Sequence, residues 1–343
     1  MTLDRPTRRR TLLGVAGLAA LGGLSACGRS EAPTDEQGRV RLRFASGGAT
    51  GAELGGFYQA LANGAYEKRG LTVEILAGAA GADAPALLAA SAVELAFARD
   101  SFAPLRLIGS GAPVKAVAAF FQKDPAVLIA RPERGEEGFP PVEGRAVFMS
   151  DRDRAGVWSW LNGRDGFTAD QARVQPPQAL LDAFAGERES LLLGRLTDGD
   201  LDRVRRRIDA VPRRRLPADD GYPGYGALVV APNAFARDNA QALRAFIAAS
   251  VEGWRDYVHG EGARGDALIR RAAPDTAQAA LDAAREALKA NAVVDGGDAA
   301  LYGLGAMTPD RWQAFAEQTA AAFIDGAPDW REAFTTQYLP ARG

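Results

Sequence analysis

The sequence of 343 residues holds one cysteine, Cys27, and one histidine, His259. A single thiol excludes any disulfide within the chain. A His/Cys metal cluster is excluded too, as is any Ser-His-Asp or Cys-His engine that does not use His259. His259 follows a helical pattern over residues 242–258 and precedes Gly260, so it reads as a surface residue at a helix terminus. A large excess of charge is also missing: the net charge is −2, which leaves no overall basic field for nucleic acid. Arg203, Arg205, Arg206, Arg207, Arg213, Arg214 and Arg215 form a local exception. Asp198, Asp200, Asp202 and Asp209 interleave that run, which therefore reads as a solvated face. The chain has no glycine-rich phosphate loop ending in Lys and Ser/Thr, which argues against a nucleotide hydrolase. Gly47-Gly48-Ala49-Thr50-Gly51 lacks the spacing and the downstream acid of a dinucleotide site. There is no internal repeat. No metal and no cofactor is expected, and the scarcity of catalytic side chains counts against a hydrolase or redox enzyme.

At this length the expectation is two domains, or one two-lobed domain, each with chain enough for a core. The first 27 residues read as an export signal. Arg5, Arg8, Arg9 and Arg10 make a basic head, Leu12 to Leu24 an apolar, Gly/Ala-rich core, and Leu24-Ser25-Ala26-Cys27 a small-residue close. That close resembles a bacterial lipoprotein signal, with Cys27 lipidated as the mature amino terminus. Arg9-Arg10-Thr11-Leu12-Leu13 also resembles a twin-arginine signal, although Arg8 stands where Ser or Thr is usual. The core is too short and glycine-rich to span ~30 Å of hydrocarbon well. The expected location is therefore outside the cytoplasm, lipid-anchored, facing the periplasm or cell exterior. Residues 28–38 are small and polar and suit a flexible tether.

The body opens with Arg41 to Leu76. An alternating strand (Val40, Leu42, Phe44) leads to a glycine-rich turn (Gly47, Gly48, Gly51). A helix follows, carrying Leu54, Phe57, Tyr58, Leu61 and Tyr66 and stopping near Gly70, and then a second strand (Leu71, Val73, Ile75). Such a βαβ unit places its turn at the carboxyl edge of a parallel sheet, where ligands bind. Further turns rich in small or polar residues end later strands: Gly78 after Leu76, Arg99-Asp100-Ser101 after Phe97, and Ser150-Asp151-Arg152 after Met149. Small turn residues let a ligand reach backbone N–H groups, and amides at a strand-to-helix turn can cradle an anion; helix capping by Ser150 or Asp151 is the plainer reading.

Phe57-Tyr58-Gln59-Ala60 with Gly64-Ala65-Tyr66-Glu67-Lys68-Arg69-Gly70-Leu71-Thr72-Val73 resembles the opening of the thiamine-precursor and nitrate/sulfonate substrate-binding proteins of ABC importers, the NMT1/THI5-like family. Later phrases extend the resemblance over most of the mature chain, among them Val142 to Phe148, Tyr222-Pro223-Gly224-Tyr225-Gly226, Asn239 to Trp254, and Gly305-Ala306-Met307-Thr308-Pro309-Asp310-Arg311-Trp312. The resemblance implies an α/β, two-lobed periplasmic-binding-protein-like fold of type II, each lobe a mostly parallel sheet flanked by helices. Residues 39–125 with 226–343 would form lobe 1, and residues 126–225 lobe 2.

The implied function is capture of a small solute between the lobes and delivery to an ABC permease and its ATPase, by a monomer that binds no nucleic acid. A thiamine-type pyrimidine precursor comes first, from Phe57, Tyr58, Tyr222, Tyr225 and the phrase holding Met307 and Trp312, with Asp198 or Asp200 for its amino group. Trp312 itself reads as core. An alkanesulfonate, taurine or nitrate is the alternative, held by Arg99, Arg152 or helix-start amides. An enzyme on the same fold, a pyrimidine synthase or a dehydratase, is the alternative of another class. The expected ligand-binding set is Gly47, Gly48, Phe57, Tyr58, Gly78, Arg99, Asp100, Ser101, Phe121, Ser150, Asp151, Arg152, Asp200, Tyr222 and Tyr225, with Cys27 for lipidation.

Overall fold

A computed structural model describes residues 32–340 apart from 50, 78–83, 133, 134, 136, 324, 325 and 327. Cys27 and Gly78 fall outside the described residues. Among the described residues there are ten strands: β1 (Val40–Ala45), β2 (Leu71–Leu76), β3 (Leu95–Asp100), β4 (Val114–Phe121), β5 (Ala126–Ala130), β6 (Val147–Met149), β7 (Ala172–Val174), β8 (Leu191–Arg195), β9 (Arg213–Arg215) and β10 (Gly226–Pro232). They form two five-stranded sheets, in the orders β2-β1-β3-β10-β4 and β7-β6-β8-β5-β9.

The sheets are mixed, which qualifies the expectation of mostly parallel ones. In each, two neighbouring pairs are parallel and two antiparallel, because a single strand runs backwards: β10 in the first and β5 in the second. The reversed strand is in both cases the one that arrives from the other lobe. β4 ends at the edge where β1 and β3 also end. The chain crosses there through Gln122-Lys123-Asp124-Pro125 and must run away from that edge as β5. The return from β9 to β10 repeats the geometry.

The core of the first lobe is aromatic. Phe57 lies 4.8 Å from Phe44, 5.2 Å from Phe120 and 5.7 Å from Trp254, and Tyr66 stacks on Phe246 at 5.2 Å. Helix Gly55–Ala62 reaches that core by packing backbone-close on helix Ala240–His259. A Cβ added at Gly56 would fall 2.1 Å from the Trp254 ring, and one added at Gly253 would fall 2.1 Å from the Gly56 carbonyl oxygen. The helix breaks at Ala62, and Gly70, at φ 73°, ends the following 3-10 turn Glu67–Arg69 in the left-handed conformation that glycine adopts freely.

Residues 32–38 do not behave as tether. Thr34 bridges to Val40, Thr72 donates to Asp35 at 2.5 Å, and the Ala32 amide donates to Asn239 at 2.9 Å. Among the described residues no helix is long and apolar enough to cross a membrane.

Candidate ligand-binding site

The lobes meet along the carboxyl edges of β1, β3, β6 and β8. Arg106 of the first lobe donates to the Ala155 carbonyl of the second at 2.5 Å, and Trp160 of the second donates to Gln318 of the first at 2.8 Å. A Cβ on Gly51 would sit 3.8 Å from the Thr197 carbonyl oxygen across the seam.

Charged side chains concentrate at this edge. From the first lobe, Arg99 on β3 pairs with Glu53, in the 3-10 turn Ala52–Leu54, and donates to the Gly48 carbonyl at 3.3 Å. Gly47 and Gly48 make the turn after β1 with φ of 59° and 84°, a left-handed pair that other residues take only at a cost. Burial pushes the Glu53 carboxyl up, against the pull of Arg99.

From the second lobe, Arg195 ends β8 and lies 3.4 Å from Asp153 and 3.6 Å from Asp124, the latter in the crossing between β4 and β5. All three are buried, and one guanidinium therefore serves two carboxylates. Burial disfavours the charge on Arg195, but Asp124 and Asp153 outweigh it and hold the group above its usual value. Burial pushes Asp124 up to about 6 although Arg195 pulls the other way, since Asp100 and Asp153 oppose its ionisation.

A cavity of about 480 Å³ opens at the carboxyl edge of the second sheet. Ser150, Arg152, Asp153, Arg195, Asp198 and Asp200 give it polar walls, and Leu180, Leu181, Leu192 and Val204 line its apolar side. Ser150 both caps and orients: its hydroxyl accepts from the Asp153 amide at 3.1 Å and donates to the Asp153 carboxylate at 2.5 Å. Asp200 accepts from the Arg195 amide at 2.7 Å, and burial raises its pKa. Arg152 differs from the other two cleft arginines. Its guanidinium makes no hydrogen bond or ion pair among the described residues, while partial desolvation, with Arg99 adding repulsion, lowers its pKa. Asp198 has no ion pair among the described residues either; its one hydrogen bond is from the Thr197 hydroxyl at 3.1 Å.

The structure thus brings together Gly47, Gly48, Arg99, Ser150, Arg152 and Asp200 around the seam and its cavity, with Asp151 exposed beside them. Asp100 caps helix Phe102–Gly109 by accepting from the Ala103 amide at 3.1 Å, and its carboxylate faces Gly156 of the other lobe.

Six of the expected contacts are corrected. Phe57, Tyr58 and Phe121 belong to the first lobe's core, where Phe121 packs 5.1 Å from Trp254. Tyr225 is buried, Arg311 lies 4.0 Å above its ring, and its hydroxyl donates to Asp298 and accepts from the Thr308 amide at 2.9 Å, so neither face nor tip is left for a ligand. Ser101 is structural as well, accepting from the Tyr225 amide at 2.9 Å. Tyr222 is buried between Trp160 and Phe315 with its hydroxyl unpartnered. Thr308 precedes helix Pro309–Gln318 without side-chain capping, because its hydroxyl turns to Asp298 at 3.3 Å. Trp312 is core, stacked 5.4 Å from Phe334. Glu53, Asp124, Asp153 and Arg195 are the cleft residues missed from sequence. The available signal was a charge at the end of an apolar strand, Leu191-Leu192-Leu193-Gly194-Arg195. Among the described residues no group of three or more His, Cys, Asp or Glu is placed to hold a metal ion.

Residues 52–261, more than half of the chain, match the family model described as NMT1/THI5 like. The chain belongs to the NMT1/THI5 like family. No curated protein matches the sequence. Among solved structures, this NMT1/THI5 like chain is similar to the periplasmic aliphatic sulphonate binding protein SsuA from Escherichia coli, at a TM-score of 0.67 and 12% identity over 88% of this chain and 94% of that one. It is similar to the periplasmic sulfonate-binding protein SsuA from Methylobacillus flagellatus at 0.60 and 14%, over 88% and 92% of the two chains. The desulfurization enzyme DSZB is also similar, at 0.54 and 11%, over 88% and 97%. At these identities the likeness is one of fold, the two-lobed fold of periplasmic binding proteins.

Proposed function

We propose that this protein is the solute-binding component of an ABC importer and that its ligand is a small organic anion, gripped between the lobes and handed to a permease. The observation that carries the ligand class is Arg152, an exposed guanidinium without an ion-pair partner among the described residues, set on the wall of the sheet-edge cavity. Arg99, Arg195 and Arg203 each already have a carboxylate. The Arg152 side chain is exposed on the cavity wall and so open to an arriving anion, and a sulfonate or carboxylate fits a guanidinium with paired hydrogen bonds. The leucine side of the cavity suits a short aliphatic tail, and Asp198, also unpaired, suits an amino group such as that of taurine.

The aromatic support for a pyrimidine precursor is weaker, since Phe57, Tyr58 and Tyr225 are spent on packing. That ligand stays as the competing outcome of the test. A binding rather than a bond-breaking role is supported by the single histidine: its ring nitrogen hydrogen-bonds Asp295 at 2.8 Å on the protein surface, at the end of helix Ala240–His259. The anchored, exported location through Cys27, the monomeric state, and the division into residues 39–125 with 226–343 against 126–225 belong to the same proposal.

Calorimetry with ethanesulfonate, taurine, nitrate and a 4-aminopyrimidine separates the ligands. Arg152→Gln is expected to weaken sulfonate binding by about 1.5–3 kcal/mol, roughly 10- to 150-fold. Tight pyrimidine binding that is indifferent to Arg152→Gln overturns the anion reading.

A further inference from the structure

We propose that capture of the anion is coupled to uptake of one proton by Asp124, the buried carboxylate in the crossing between the lobes. The inference rests on the anion reading above and on geometry. Arg195 is shared between Asp124 at 3.6 Å and Asp153 at 3.4 Å, and its Nε is buried without a partner. Four groups face Asp124: Arg195 and Asp153 from the second lobe, Asp100 from the first, and the unpartnered Tyr222 hydroxyl from the return segment. Lys123, its neighbour in sequence, is engaged elsewhere, with Asp219 at 2.6 Å. One guanidinium therefore serves two buried carboxylates, and Asp100 adds a further negative charge facing Asp124.

An anion docking at Arg152 and Arg195 adds a further negative charge to that set. The cheapest neutralisation is a solvent proton taken by the Asp124 carboxylate. Asp124 keeps its acceptor role toward the Ala126 amide at 2.8 Å, and the Arg195 guanidinium is freed to face the ligand. No covalent bond other than the O–H is made. In the ligand-free protein Asp124 titrates at about 6, held up by burial, and a nearby anion raises it further. Because the bound state holds more protons, affinity is at a plateau below about pH 6 and falls as pH rises above it, by up to about tenfold per pH unit at the steepest.

The test is calorimetry of ethanesulfonate, which does not itself titrate in this range, from pH 5.5 to 8, and at pH 7.5 in imidazole and in Tris, cationic buffers whose ionisation heats differ. The expected result is net proton uptake on anion binding at pH 7.5, with Asp124→Asn binding independently of pH. Wild-type affinity flat from pH 5.5 to 8 with buffer-independent heat overturns the inference while leaving the anion reading standing. A slope unchanged in Asp124→Asn does the same. Absence of ethanesulfonate binding at every pH by both proteins rejects the reading and the inference together. Should Asp124→Asn not fold, the wild-type proton count decides alone.

Discussion

Replacing Arg195 by methionine isolates the buried charge network. The side chain is 8% exposed, as is that of Asp153, and that of Asp124 is 3% exposed, so methionine fills the volume but leaves two carboxylates without their cation. Breaking a buried pair in this way costs about 3–5 kcal/mol. With an unfolding entropy of about 2.1 cal/mol/K per residue, a chain of this size should melt roughly 4–7 °C lower at pH 7.5.

The loss should shrink on acidification. Asp124 has a folded pKa, about 6, above its ordinary value of 3.8, so the folded state binds the extra proton. In the wild type this group therefore lowers stability as pH rises from about 4 through 6, by about 3 kcal/mol in all. Without Arg195 the folded value climbs higher, the window moves upward, and protonation near pH 5 recovers most of the loss. Differential scanning calorimetry across pH 5–8 reads this directly. Adding Asp124→Asn to Arg195→Met should restore part of the stability at pH 7.5. A single variant that melts like the wild type, or whose deficit is the same at pH 5 and pH 8, refutes the account of the network.

Gly253→Ala should destabilise the first lobe by roughly 2 kcal/mol or more, since its methyl would lie 2.1 Å from the Gly56 carbonyl oxygen and 2.6 Å from Ala60 Cβ. The gain of about 1 kcal/mol in helix propensity does not offset this, and a thermal melt measures the difference. Tyr225→Phe should cost about 1–3 kcal/mol of stability through the orphaned Thr308 amide and Asp298, yet leave ligand affinity unchanged. A drop in affinity without a drop in melting temperature would return Tyr225 to the site.

The strands and their end-turns were legible because alternation and glycine position are local properties. β5 was readable as a continuous apolar run because both its faces are covered. The mixed sheets were not, since reversal of β5 and β10 follows from which edge the chain crosses. The arginine run at 203–207 concealed helix Asp200–Ile208, whose one buried side chain is Val204. That helix has acids in its first turn and arginines in its last, the arrangement the dipole favours, and pattern reading for an apolar stripe passes over it. For the site, Arg152 and Ser150 were found because they sit on a strand-to-helix turn. Arg195 and Asp124 escaped because their partners are 42 and 71 residues away along the chain for the pairs Arg195–Asp153 and Arg195–Asp124. Aromatic residues misled for a similar reason, as nothing local in Phe57 or Tyr225 tells a core ring from a ligand platform.

The most direct test of solute capture at Arg152 is mass spectrometry of what the purified protein releases on denaturation, run on the wild type and on Arg152→Gln. The account predicts one small organic anion in near-stoichiometric amount from the wild type and little or none from the variant. A neutral or cationic solute, or the same anion retained equally by both proteins, would contradict it.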